Sequence, residues 1–149
     1  MTEESRQRLV DAIKVAEGTG PVQRDRLMPY SDSLGVLTIG YGRAIGRIGI
    51  SFGEAETLLQ HDIDRSERDL DFAAVWWRTL DDVRQRALVE MIFQLGLGTF
   101  LDFHRTRDAL QHQRFGLAAD AMLDSEWADQ TPARVQRLAA MVRTGLDIV

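Results

Sequence analysis

Apolar residues recur at spacings of three and four through residues 2 to 17. Leu9, Ile13 and Ala16 share a face there, Thr2 or Ser5 can cap the start, and Gly18 stops the run. This pattern predicts a first helix that ends at or next to Glu17. Residues 19 to 35 are rich in Gly, Pro, Asp and Ser. From Val36 the segment VLTIGYG alternates around β-branched and aromatic residues, which predicts a small sheet, a hairpin. Ser51 and Glu54 have the spacing of a capping box, and Phe52, Ala55, Leu59, Ile63 and Leu70 continue a helical stripe for several turns. From Asp81 onward no strand pattern appears. Val83, Ala87, Leu88, Met91, Ile92 and Leu95 predict one strongly apolar helix ending at Gly96 and Gly98, followed by shorter amphipathic segments at 99–112 and 115–127. Thr131 with Pro132 at the first helical position opens a last helix through Val142 to Gly145.

These elements describe a predominantly helical α+β protein, one domain over residues 1–149. The expected parts are a small α+β lobe at about 15–55, a linking helix at about 52–75 and a helical lobe at about 76–149, with the N-terminal helix packing near it. Composition narrows the chemistry. With 44% hydrophobic and 28% charged residues, 3 prolines and 12 glycines, the chain has a real core and is neither disordered nor repetitive. The absence of cysteine removes disulfides, thiolate metal sites and a cysteine nucleophile; with three scattered histidines, neither a metal nor a cofactor is expected. No apolar run approaches the roughly 20 residues of a membrane span, and MTEESRQR is too polar for a signal peptide, so the expectation is a soluble protein made in the cytoplasm. A net charge of −5 argues against nucleic acid as a partner. Residues 18–53 and 130–149 are nonetheless locally basic, which fits either ordinary surface variation or the flanks of a site for a weakly anionic substrate.

Several residues ask for an explanation. Glu17 falls at the negative end of a helix dipole, where a cation is favoured and where a carboxyl is better kept protonated, as a proton donor requires. Arg134, third in the last helix, stands at the positive end of its dipole, and pairing with a stranded glutamate would relieve both. Asp32 has the position of an ordinary turn aspartate. Thr38 faces opposite to Leu37, Ile39 and Tyr41, so it points outward if those three pack inward. Gly40 and Gly42 weaken a strand and suggest a tight bend or the close approach of something bulky, such as a sugar ring. Two carboxylates and a hydroxyl within the first 38 residues supply the acid and base that glycoside hydrolysis needs. Gln94, in the apolar helix beside Phe93, must find partners, either as a structural bridge to the indole of Trp127 or as a sugar-binding amide. Trp76 and Trp77 read as packing of the helical lobe before they read as a carbohydrate platform.

Taken together these residues resemble the phage-type lysozyme (endolysin) family, glycoside hydrolase family twenty-four. Three ordered motifs carry the resemblance: Glu17-Gly18 with Tyr30-Ser31-Asp32, Gly35 and Thr38-Ile39-Gly40-Tyr41-Gly42; MIFQLG at 91–96; and Trp127 through DQTPAR to Arg143-Thr144-Gly145. The resemblance implies a two-lobed lysozyme-like fold and a muramidase that cleaves the β-1,4 bond between N-acetylmuramic acid and N-acetylglucosamine with inversion. It implies Glu17 as the acid, Asp32 as the second carboxylate, Thr38 as the third active-site residue, Phe93, Gln94 and Gly42 as substrate-binding positions, and Arg134 as the partner of Glu17. It further implies a monomer acting on peptidoglycan glycan strands, held in the host cytoplasm until a holin admits it to the periplasmic wall. The chain departs from the family in a longer segment between Gly18 and Tyr30, a shorter one between Gly42 and Ser51, and Ala121 and Glu126 where polar or basic residues line the cleft. Arg43 replaces a histidine, with Asp62 placed to pair with it. Two other readings fit the same fold: a lytic transglycosylase and a non-catalytic wall-binding module.

Overall fold

The computed structural model describes residues 1–148; Val149, included in the expected helical lobe, lies outside the described residues. The fold is predominantly helical α+β, and the chain divides into two compact units, Met1–Glu56 and the residues from Thr57 onward. Among the described residues, no helix is long and apolar enough to cross a membrane.

The first unit opens with α1 (Glu3–Glu17). The Thr2 hydroxyl accepts from the Ser5 N–H at 3.2 Å, and the Gly18 N–H closes the last turn on Lys14 O at 3.1 Å. Glu17 is the final helical residue, as expected. Two antiparallel hairpins follow: β1 (Val22–Gln23) with β2 (Arg26–Leu27), then β3 (Tyr30–Ser31) with β4 (Leu37–Thr38). The first hairpin falls in the stretch read as turn-rich. Its two-residue loop, Arg24-Asp25, has positive φ at both positions (47° and 60°), the pattern of a type I′ turn. VLTIGYG contributes only Leu37 and Thr38 to a strand, because the chain bends after Ile39 and returns through an isolated Ile39–Arg43 bridge. A four-residue helix, α2 (Ile45–Ile48), precedes α3 (Phe52–Ala73). The capping box is formed as predicted, with the Ser51 N–H donating to Glu54 Oε2 at 2.7 Å and the Glu54 N–H to Ser51 Oγ at 3.2 Å.

The stripe assigned to α3 is buried only towards its C-terminal end. Leu70 is fully enclosed, whereas Phe52 is 98% exposed. A 3-10 turn (Trp77–Thr79) leads into α4 (Asp82–Asp102), which breaks at Gly96, where φ is 74°. Then come α5 (His104–Gln111), α6 (Phe115–Leu123), α7 (Glu126–Gln130) and α8 (Pro132–Thr144). Leu88, Met91 and Ile92 of α4, Leu110 of α5, Met122 of α6, and Val135, Leu138 and Val142 of α8 form the core with Leu70, Trp77 and Phe100. Each such side chain contributes about 1.5–3 kcal/mol by leaving water. Trp77 is buried and donates its indole N–H to Asp71 at 2.7 Å, in keeping with a packing role; Trp76 packs against the core from its edge.

Arg84 fastens the end of α8 to the start of α4. Its guanidinium donates to Val142 O at 2.7 Å and Arg143 O at 3.3 Å, pairs with Asp81, and stacks 3.6 Å from the centroid of Phe115. These bonds satisfy carbonyls that a helix C-terminus otherwise leaves open. Thr131 does not cap α8 through its side chain; its hydroxyl donates back to Trp127 O at 3.2 Å.

Candidate active site

The first unit holds Glu17, Asp32, Thr38 and Gly42. The exposed carboxyl of Glu17, at the end of α1, lies against the bare α-carbon of Gly42. A Cβ at position 42 would stand 2.7 Å from Glu17 Oε2, and the backbone there has a φ of 79°, which L-residues with side chains rarely adopt. The bulky group that Gly42 admits in this structure is therefore the Glu17 carboxyl.

Asp32 and Thr38 are locked together through the backbone of one residue, Val36. Asp32 Oδ1 accepts the N–H groups of Leu34 and Val36, both at 2.8 Å. Val36 O in turn accepts the Asp32 N–H at 3.0 Å and the Thr38 hydroxyl at 3.0 Å. The turn geometry expected of Asp32 is present, and it occupies one carboxylate oxygen; Oδ2 has no hydrogen-bond partner among the described residues. Leu37 and Tyr41 do not pack inward, so the side that faces in is that of Thr38. Thr38 is buried at 3% exposure, while Leu37 and Tyr41 are 47% and 45% exposed. Strand alternation holds between 37 and 38, but the hydroxyl, satisfied by Val36 O, is the group turned inward.

Arg43 does not take Asp62. Its guanidinium reaches Gly49 O at 3.0 Å and pairs with Glu54 at 2.8 Å, so it braces the α2–α3 connection, while Asp62 pairs with Arg65 one turn along α3 at 2.8 Å. The Ser51 N–H and hydroxyl, together with Arg43, hold the Glu54 carboxyl below its ordinary range.

The remaining candidates lie in the second unit. Phe93, on α4, is 44% exposed and lines a cavity of about 540 Å³ with Leu59, Ile63, Trp77, Val89 and Glu90. Gln94 is half-buried and donates to the Thr131 hydroxyl at 3.3 Å, not to Trp127. Thr131 comes between them, and both Gln94 Oε1 and Trp127 Nε1 are buried without a partner among the described residues. Trp127 also lines a second cavity of about 560 Å³, with Leu95, Phe103, Thr106, Ala121 and Glu126. Arg134 is the third residue of α8, and its Nε lies 3.8 Å from Glu90, which also pairs with Arg137. Glu90 was missed by sequence reasoning. It lies on α4, far along the chain from α8, and no local pattern announces it.

Comparison with known proteins decides the family. Residues 20–143 match the family described as Phage lysozyme. The chain belongs to that family. At that level it is a muramidase-type cell-wall hydrolase. Similar proteins include two from Dictyostelium discoideum, named Probable T4-type lysozyme 1 and 2. They are 26% and 28% identical, over 91% and 92% of this chain and 93% and 94% of theirs. The Pre-baseplate central spike protein Gp5 of Enterobacteria phage T4 is 33% identical over 74% of this chain, which spans only 20% of that protein.

Proposed function

We propose that this phage lysozyme hydrolyses the β-1,4 bond between N-acetylmuramic acid and N-acetylglucosamine in peptidoglycan, with inversion, and that it serves bacterial cell lysis. Glu17 protonates the leaving glycosidic oxygen. Asp32 accepts a proton from the attacking water through Oδ2, the oxygen its turn leaves free. The Thr38 hydroxyl, its own proton committed to Val36 O, offers lone pairs to the same water. The Val36 backbone keeps these two groups in fixed register, so little reorganisation is needed when the water attacks. Arg134 has a supporting role from α8, where its ionic partner is Glu90, and Phe93, Gln94 and Gly42 are the glycan-binding positions of this reading.

The observation that carries this reading is the shared lock of Asp32 and Thr38 on the backbone of one residue, Val36. It supports a second carboxylate with a dedicated oxygen, which hydrolysis requires and transglycosylation does not. Mass spectrometry of muropeptides released from purified peptidoglycan tests it. Hydrolysis yields reducing ends; 1,6-anhydro ends would establish a lytic transglycosylase, and binding without release a wall-binding module.

A further inference from the structure

The locally basic stretch after Glu17 begins with the β1–β2 hairpin, where Arg24 and Arg26 stand exposed. Among the described residues neither guanidinium makes an ion pair, a hydrogen bond or a ring contact, and Asp25 between them pairs with neither. Arg43 in the same unit is by contrast held by Gly49 O and Glu54. The register of the hairpin sets Val22 opposite Leu27 and Gln23 opposite Arg26, so alternation puts the apolar pair on one face and the polar pair on the other. Leu27 turns towards the segment after β4: a Cβ on Gly40 would meet its Cδ1 at 3.8 Å. The face of Arg26 is therefore the outer one, and Arg24 stands beside it at the tip.

The base of this arm is fixed. The Met28 N–H donates to Pro21 O at 2.9 Å, and Gly20 lies so close to the ring of Tyr30 that a Cβ there would overlap it. Tyr30 is in turn the strand partner of Thr38. The turn is strained, with φ of 47° at Arg24 and 60° at Asp25. Aspartate tolerates this left-handed backbone; arginine has neither the missing Cβ nor the short polar side chain that eases it. Asn-Gly forms the same turn without the strain, so an arginine at the tip points to a use for its charge.

We infer that the outer face and tip of the β1–β2 hairpin are a docking surface for the carboxylates of peptidoglycan peptide stems, with Arg24 and Arg26 as the contacts. A guanidinium with all its donors free suits a carboxylate, which it grips through two parallel hydrogen bonds. The chain as a whole carries −5 and is repelled by an anionic wall, so attraction must come from a local set of unpaired cations. The inference rests on the reading that peptidoglycan is the substrate, and it adds a holding surface that touches no reacting atom.

The test is co-sedimentation of the full-length chain, on ice, with purified sacculi, either native or with their carboxyls amidated by carbodiimide and ammonia. The kcat and KM of muropeptide release are measured alongside. Arg24→Gln with Arg26→Gln weakens binding to native sacculi and raises KM by about 3–10-fold at low salt, with kcat and melting temperature unchanged. The difference from wild type disappears on amidated sacculi and fades in high salt. Arg68→Gln removes an equally unpaired, exposed arginine from α3 and leaves binding and KM as in wild type. Arg24→Asn relieves the turn, raises the melting temperature and still weakens binding, a combination that a purely structural turn does not give. Undiminished binding by the double variant, an equal loss on amidated sacculi, or an equal loss in Arg68→Gln overturns the inference. Failure of the underlying reading looks different: a wild-type chain that binds native sacculi through these arginines yet releases no muropeptides overturns the proposed cleavage and leaves the docking surface standing.

Discussion

The carboxyl of Glu17 rests against Gly42 with no room for a side chain between them: a Cβ at 42 would lie 2.7 Å from Oε2. Gly42→Ala therefore forces the acid aside, and it also places an alanine at a φ of 79°. The left-handed backbone costs about 1–2 kcal/mol. Displacing the acid by an ångström lowers turnover by about 10²-fold. Turbidity clearing of permeabilised cells, with a thermal melt on the same sample, checks both, and undiminished clearing would show that the close approach does not position the acid.

Thr131 predicts a stability effect that a capping role would not produce. Its hydroxyl joins Gln94 to Trp127 O, so Thr131→Val strips the Gln94 amide of its hydrogen bond and costs about 1–3 kcal/mol in urea unfolding. In the Gln94→Leu background the same substitution costs much less, because the amide it would strand is absent. Equal losses in both backgrounds would contradict the assigned link.

Gly145 is held to glycine by Arg84. A Cβ there would come within 2.6 Å of the Arg84 guanidinium, at a φ of 68°. Gly145→Ala loses about 1–2 kcal/mol from the backbone alone, with a further loss as Arg84 gives up Val142 O. An unfolding midpoint equal to that of wild type would contradict this.

Acid lability follows from two carboxylates. Arg78, and then the Trp77 indole, hold Asp71 below its ordinary value of 3.8, and the Ser51 N–H and hydroxyl with Arg43 hold Glu54 below 4.5. Because both values are depressed in the folded chain, their contribution to stability is fully present above the ordinary values. It is lost as the pH falls through and below them. Glu54→Gln preserves the capping geometry but removes one titration, so melting temperature declines less steeply below about pH 4.5 than in wild type. Superimposable pH curves would contradict the assignment.

Much of this was legible where the chemistry is local. Thr2, Gly18, the Ser51–Glu54 box, Pro132 and Gly145 each act within four residues of themselves, and the helices they bound stand where the sequence places them. The β1–β2 hairpin was not legible, because its turn uses Arg24-Asp25 at positive φ where Asn-Gly would have signalled it. Partners brought together by the fold were also hidden: Glu90 for Arg134, Thr131 for Gln94, Glu54 for Arg43. Alternation placed Thr38 opposite Leu37 correctly, but periodicity alone does not say which side is the inside. That was decided by the Val36 carbonyl, which satisfies the buried hydroxyl.

The most direct test of the account is the initial rate of muropeptide release by Glu17→Gln, an isosteric change at an exposed position that leaves the packing untouched. The account predicts a loss of at least about 10²-fold with an unchanged circular dichroism spectrum and melting temperature. Release at the wild-type rate by the folded variant would show that the proton comes from elsewhere.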